Sequence, residues 1–129
     1  MPTEEQVLGA IKAVCAAAVA PRPVHTLGEV DRLPEKPDNY VEVSLSRRFG
    51  TSARLDPGPD ITYWRVVVQA VGVLEENPRT MPTQVRGALD GAQVAVGSGS
   101  TSPVAHEVSR AVGPDDDWWS GMDTWIFTT

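Results

Sequence analysis

The candidate general bases in this sequence are its two histidines, His25 and His106. Nucleophilic catalysis needs a nucleophile, such a base and a third group that orients the base. His25 lies in a connection flanked by prolines, His106 lies within a predicted strand, and no serine stands in a Gly-x-Ser-x-Gly elbow. We therefore interpret both histidines as exposed structural residues, and we expect no enzymatic activity, no catalytic residues and no cofactor.

Carboxylates are densest at residues 115–117, where three aspartates follow one another. Adjacent strand positions point to opposite faces, and no spaced calcium-loop pattern with a terminal glutamate follows. We predict a solvated acidic loop and no metal site, with a weak adventitious cation site as the alternative. Residues 97–102 (GSGSTS) resemble a phosphate loop only in composition, because the Gly-Lys-Ser/Thr ending is missing.

The single cysteine, Cys15, cannot form an internal disulfide or a site with several cysteine ligands. Valines and alanines surround it in the sequence, so we interpret it as a small buried hydrophobic residue on a helix. A reactive thiol is the alternative.

Residue types that anchor protein interfaces stand in segments predicted to be loops. Two arginines and a phenylalanine begin a long loop, another arginine follows within it, and two adjacent tryptophans stand beside the aspartates. Tyr63 and Trp64 must also point to opposite faces of one strand, so that one of them can face outward. The alternative is that one aromatic residue of each pair is core and the arginines are simply solvated. The candidate interface residues are Arg47, Arg48, Phe49, Arg54, Trp118 and Trp119.

The formal net charge of the chain is −6, and its basic residues form neither a basic half nor a stripe. This argues against a protein that grips nucleic acid by neutralising phosphates. The first residues are acidic rather than basic, unlike a secretory signal. The longest apolar stretch, 14–20, is too short to span a membrane. We expect a protein made in the cytosol, with no membrane partner.

Two helices are predicted. Thr3 and Gln6 have capping-box spacing, and apolar residues follow at spacings of three and four, which predicts a helix over 4–19. A second helix is predicted over about 82–89, with Pro82 in the first turn and Gly91 after the end.

Strands are predicted from alternation of apolar and polar residues and from β-branched and aromatic residues. Segments 40–46 and 61–71 read as an antiparallel hairpin with a long loop over 47–60, and a short strand is indicated near 24–27. A strand over 103–113 is expected to pair with 93–96, and the last strand covers 123–129. The order of elements predicts one α+β domain over residues 1–129, with a mixed, mainly antiparallel sheet packed against two helices.

Several segments after the first helix, by their order and spacing, resemble tail terminator proteins of long-tailed, siphovirus-like bacteriophages. They are YVEVSLSRRFG (40–50), DITYWRVVVQAVG (60–72), QVRGALDG (84–91), SPVAHEVSRAV (102–112) and GMDTWIF (121–127).

The resemblance implies a small α+β virion protein without catalytic residues, made in the host cytoplasm and found in the tail–neck region. Such proteins form a hexameric ring on the tail tube, end its elongation and offer a surface to head-completion or connector proteins. The genome would pass through the lumen without specific binding, and an acidic wall suits that passage because like charge discourages adhesion. The family has no fixed signature of functional residues, so no contact position is carried over. The alternatives are another neck or tail-completion adaptor and a small ligand-binding domain or enzyme.

Overall fold

The computed structural model describes residues 2–48, 61–74, 76–115 and 117–129. The first helix, α1, spans Glu4–Val19 and confirms the predicted bounds. The capping box is formed: the Gln6 backbone N donates to Thr3 Oγ1 at 3.1 Å, and the Thr3 N donates to Gln6 Oε1 at 2.9 Å. The residues that α1 buries include Cys15, at 0% exposure, which confirms that this cysteine is a core residue.

A five-stranded mixed sheet forms the second layer. Its strands are β1 Val24–Thr26, β2 Asn39–Arg47, β3 Tyr63–Gly72, β6 Ala105–Asp115 and β7 Trp118–Thr128, and they lie in the order β1-β2-β3-β7-β6. Only β1 and β2 are parallel; every other neighbouring pair is antiparallel. The expected short strand and the hairpin of β2 with β3 are both present.

The second helix, α2, spans Glu76–Leu89, so the predicted start near Pro82 is wrong. Pro82 lies inside the helix rather than in its first turn. The buried stripe starts earlier, at Pro78 and Met81, and continues through Val85. Packing of that stripe against the sheet therefore outweighs the local preference of proline for the first turn.

The predicted pairing of segment 103–113 with 93–96 is also wrong. Ala95–Val96 (β4) pairs instead with Gly99–Ser100 (β5) as a small separate hairpin. Gly97 makes this tight turn possible with a φ of 59°, a conformation that glycine adopts without steric cost. β6 is consequently left to pair with β7 in the main sheet.

The last strand begins at Trp118 rather than at residue 123. Pairing of β7 with β3 continues as far as Trp119 opposite Gly72, which draws both tryptophans into the sheet. They are half-buried strand residues, not residues of an exposed acidic–aromatic loop as predicted.

The core lies between the two helices and one face of the sheet. Trp64 and Trp125, on β3 and β7, are each 1% exposed and are its largest side chains. Tyr63 is only half-buried, which settles which member of the Tyr63–Trp64 pair is core. The fold is α+β, as predicted. Within the described residues, neither helix has the length and apolar character needed to span a membrane.

Candidate interaction surfaces

Arg47 and Arg48 lie together at one end of the sheet, which we call the arginine end. Arg47 is the last residue of β2 and is exposed, with its guanidinium carbon 5.4 Å from the Trp64 ring centre. The backbone N of Arg48 donates to the Tyr63 carbonyl at 2.7 Å, which fixes the chain where it leaves the sheet. The other two candidates at this loop, Phe49 and Arg54, lie outside the described residues.

Trp118 and Trp119 lie at the opposite end, which we call the tryptophan end. Trp119 is level with Gly72 of β3, and Gly72 is level with Asn39, where β2 begins. Arg47 lies eight residues further along β2, or about 26 Å away at ~3.3 Å per residue. The structure therefore places the four described candidates, Arg47, Arg48, Trp118 and Trp119, in two separate patches rather than in one.

Trp118 belongs to a small apolar cluster with Val30, Tyr40 and Val71 on the sheet face away from the helices. The Lys36 ammonium lies 4.1 Å from the Trp118 ring centre and 5.8 Å from that of Tyr40. A cation over an aromatic face is attracted by the electron-rich ring. The lysine therefore covers an aromatic surface that would otherwise face solvent.

A groove of about 550 Å³ runs beside this cluster. Its lining includes the carboxylates of Asp31, Glu42 and Asp117, together with Lys36 and the 71% exposed side chain of Leu27. The tryptophan end is thus aromatic and rich in carboxylates, whereas the arginine end carries exposed positive charge. The two ends suit partners of different chemistry.

Sequence reasoning missed a cluster that joins α2 to the sheet through Asp123. Arg86 of α2 binds the Asp123 carboxylate with both Nε and Nη2, each at 3.0 Å. Ser109 donates a hydrogen bond to the same carboxylate, and Asp123 is only 3% exposed. These residues come from three elements, so no sequence spacing links them.

The Asp123 cluster contains serine, histidine and aspartate but does not have the geometry of a catalytic triad. His106 Nε2 lies 2.8 Å from Ser109 Oγ and 3.4 Å from Asp123 Oδ1, so one ring nitrogen faces both groups. A triad needs the carboxylate on the other ring nitrogen, so that the first can take the serine proton. The cluster therefore acts as a clamp between helix and sheet.

Charge pairing governs the protonation of this clamp. Burial alone would raise the pKa of Asp123, but hydrogen bonds from Arg86 and Ser109 outweigh it and hold the pKa below its ordinary value. The same hydrogen bond raises the pKa of Arg86. The pair is consequently ionised at neutral pH.

His25 was predicted to be an exposed structural residue, but its side chain is only 16% exposed. Its Nδ1 lies 3.5 Å from Glu29 Oε2, and its ring meets Tyr40 edge-on. The side-chain hydroxyl and then the backbone N of Thr26 donate to Glu29, lowering the pKa of Glu29 to about 2. Lys12 also reaches Glu29, at 3.2 Å, so this group ties α1 to β1.

The aspartates at 115–117 are divided by the turn between β6 and β7. Asp115 ends β6, Asp117 lies in the turn and is exposed, and Asp116 is outside the described residues. Within the part of the chain that the structure describes, no group of three or more His, Cys, Asp or Glu side chains is placed to hold a metal ion.

Similarity to known proteins is found at the level of the fold. No protein-family model matches the sequence, and no curated protein matches it significantly. A chain in the solved structure "Virion of native gene transfer agent (GTA) particle" superposes with a TM-score of 0.69 at 14% identity, over 95% of this chain and 92% of that one. A second solved chain gives a TM-score of 0.63 at 12% identity, over 98% and 94%. This chain therefore shares, over nearly its whole length, the fold of a chain from that virion structure.

Proposed function

We propose that this chain is a structural protein of a phage-like virion, an adaptor of the tail-terminator type. In this role it forms a hexameric ring at the end of the tail tube, stops tube elongation and joins the tail to head-completion or connector proteins. Two independent lines support the proposal: the resemblance of the sequence segments to that family, and the fold shared with a chain of the gene transfer agent virion structure.

The observation that carries the proposal is the separation of two chemically different patches at opposite ends of one rigid sheet. An adaptor between a tube and a connector must bind two partners at once without obstructing either. Arg47 and Arg48 lie at one end, whereas Trp118 and Trp119 lie at the other, with residues of the groove. Long antiparallel strands joined in register hold these ends a fixed distance apart.

The clamp geometry supports a non-enzymatic role, because the serine–histidine–aspartate cluster is not arranged for proton relay. A ligand-binding role is less well supported. Small-molecule pockets are usually enclosed and mostly apolar, with few polar groups, whereas the groove at the tryptophan end is lined by three carboxylates and a lysine.

In the proposed role the genome passes through the ring, and the net charge of −6 opposes adhesion of DNA.

The deciding experiment deletes the gene in the particle-producing genome that encodes it and examines the particles by electron microscopy. We expect tails of uncontrolled length that are not attached to heads, and restoration when the gene is supplied in trans. Tails of normal length without heads would indicate another neck adaptor instead. Particles of normal form would overturn a structural role.

A further inference from the structure

Among the residues that the structure describes, the main sheet has an open edge on each of its two opposite sides. At one side, β6 pairs only with β7 among the described residues. Seven consecutive residues of β6, from Ala105 to Ala111, are exposed, although inner strands alternate between buried and half-buried. An edge strand of this length presents a row of backbone donors and acceptors that can pair with another chain.

At the other side, β2 is only partly covered. β1 pairs with Val41–Val43, and the Leu27 N donates to the Val43 carbonyl at 3.1 Å. From Ser44 to Arg47, the described residues provide pairing for β2 only on the side of β3. This leaves a second open edge, four residues long, next to the arginine end.

The two open edges match in direction. β3 is antiparallel to β2, β7 is antiparallel to β3, and β6 is antiparallel to β7. β6 therefore runs antiparallel to β2 of the same chain. In a ring whose axis follows the strands, every copy keeps the same strand direction, so β6 of one copy meets β2 of the next in the antiparallel sense.

The two open edges also match in their position along the strand direction. Ser46 is level with Arg65, Ile126 and Ala105 across the sheet, and Ser44 is level with Val108 by the same route. Two steps along β2 correspond to three along β6, because β6 has a register shift between His106 and Val108. In a ring whose copies are not shifted along its axis, residues at the same position along the strand direction face each other in neighbouring copies. Arg47 is level with Trp64 and Phe127 and so lies just beyond Ala105 in this register, while Glu107 is held by Arg65 of its own copy.

We propose that the ring is built by strand addition: β6 of one copy pairs antiparallel with the Ser44–Arg47 edge of the next copy. The occupant of each open edge is a second copy of this chain. Different edges meet in this contact, so it is head-to-tail, and such contacts generate closed rings when the rotation between copies closes. The inference rests on the proposed ring and adds the surfaces that form it.

Disulfide trapping tests the contact directly with the double variant Ser46→Cys/Ala105→Cys. Residues directly opposite in neighbouring antiparallel strands are close enough for a disulfide. Within one chain these two positions are three strand spacings apart, about 14 Å, which is too far. Cys15 does not interfere, because burial raises the pKa of its thiol to about 12 and keeps it protonated.

On mild oxidation we expect the double variant to form a ladder of linked oligomers, whereas each single variant stays unlinked. Dimers of the Ala105→Cys single variant would show that two β6 edges pair with each other, which overturns the proposal. An oligomer in native mass spectrometry without cross-links in the double variant would overturn the strand contact but leave the ring. A monomer at every protein concentration, with no ladder, would overturn both.

A second variant tests the edge without cysteines. Val108 is 54% exposed on β6, and a lysine on an edge strand opposes pairing with another chain. We expect Val108→Lys to lower the mass in native mass spectrometry to that of the monomer while circular dichroism is unchanged. Leu74→Lys is the matched control, because Leu74 is 56% exposed and lies outside the sheet. Equal oligomerisation of the two variants would contradict the proposal.

Discussion

Asp123 shows how one buried charge connects the two layers of this protein. Its carboxylate lies in the sheet, and the guanidinium that neutralises it comes from α2. A buried carboxylate that loses its partner is costly, whereas a carboxylate held by a two-nitrogen arginine pair and a hydroxyl is well compensated. The position of α2 on the sheet is therefore set by charge as well as by apolar packing.

Replacement of this carboxylate by an amide should destabilise the fold. In Asp123→Asn we expect the free energy of unfolding at pH 7 to fall by roughly 1–3 kcal/mol, because a buried, charge-assisted hydrogen-bond partner is lost. The exposed guanidinium of Arg86 regains water, which places the loss toward the lower end. Urea denaturation measures the difference, and Asp90→Asn at an exposed position is the control.

The pH dependence of that difference has a defined sign. The pKa of Asp123 is lowered in the folded protein, so its contribution is present above the ordinary value of 3.8 and is lost as the pH falls below it. We expect the gap between wild type and Asp123→Asn to be constant from pH 7 to about pH 5 and to close toward pH 2. A gap that stays constant across the acid range would show that the carboxylate charge is not what stabilises the clamp.

At the scale of elements, the contact between β7 and its neighbours is tight around Gly121. A Cβ on Gly121 would lie 3.0 Å from Val112 Cγ2 on β6 and 3.7 Å from the Pro78 carbonyl on α2. Helix α2, edge strand β6 and inner strand β7 therefore meet around this position. The packing there is sensitive to a single methyl group.

We expect Gly121→Ala to destabilise the protein by about 1 kcal/mol through overpacking. In a Val112→Ala background the same substitution should be neutral or slightly stabilising, because the crowding methyl group is gone. Thermal unfolding of the four proteins in this cycle gives the coupling. Gly113→Ala is the control, since a Cβ there meets nothing within 4 Å. Additive effects in the cycle would rule out the steric explanation.

Sequence patterns predicted elements well where local signals act alone. The capping box and apolar stripe located α1 to the residue, and alternation located β2 and most of β3. The predicted bounds and pairings were wrong where tertiary packing determines the structure. Pro82 suggested a helix start, but the buried residues Pro78 and Met81 extend the helix to an earlier start. The partner of β6 depended on a hairpin turn at Gly97.

The candidate surfaces were predicted by residue type but not by position. Arginines and tryptophans are recognisable as interface residues in any sequence. Their separation at opposite ends of a sheet depends on strand register, which only the pairing of β2, β3 and β7 defines. The Asp123 clamp could not be predicted, because its members are separated by up to 37 positions.

At the scale of the whole molecule, the two ends should fail in different ways. We expect Arg48→Glu and Leu27→Asp each to leave the native mass of the oligomer unchanged, because neither residue lies in β6 or in the Ser44–Arg47 edge of β2. When supplied to the deletion strain, each variant should lose the contact with one of the two partners, the tail tube or the connector. One variant should therefore give overlong tails, and the other should give tails of normal length without heads. Electron microscopy of the particles distinguishes these defects.

Ala13→Glu, on the exposed face of α1, is the matched charge control and should restore normal particles. If both end variants gave the same defect, the two patches would not bind separate partners. If both also lost the oligomer, the patches would belong to the contact between copies instead.

The shortness of β1 has a consequence for how assembly is controlled. Three residues of β1 satisfy only the first part of the β2 edge. Pairing within a molecule is favoured over the same pairing between molecules, because it costs no translational freedom. In the proposed ring, four more residues added to β1 would therefore occupy the remaining edge and leave the protein monomeric. The length of this one strand would then determine whether β2 is paired by its own chain or by a neighbouring copy.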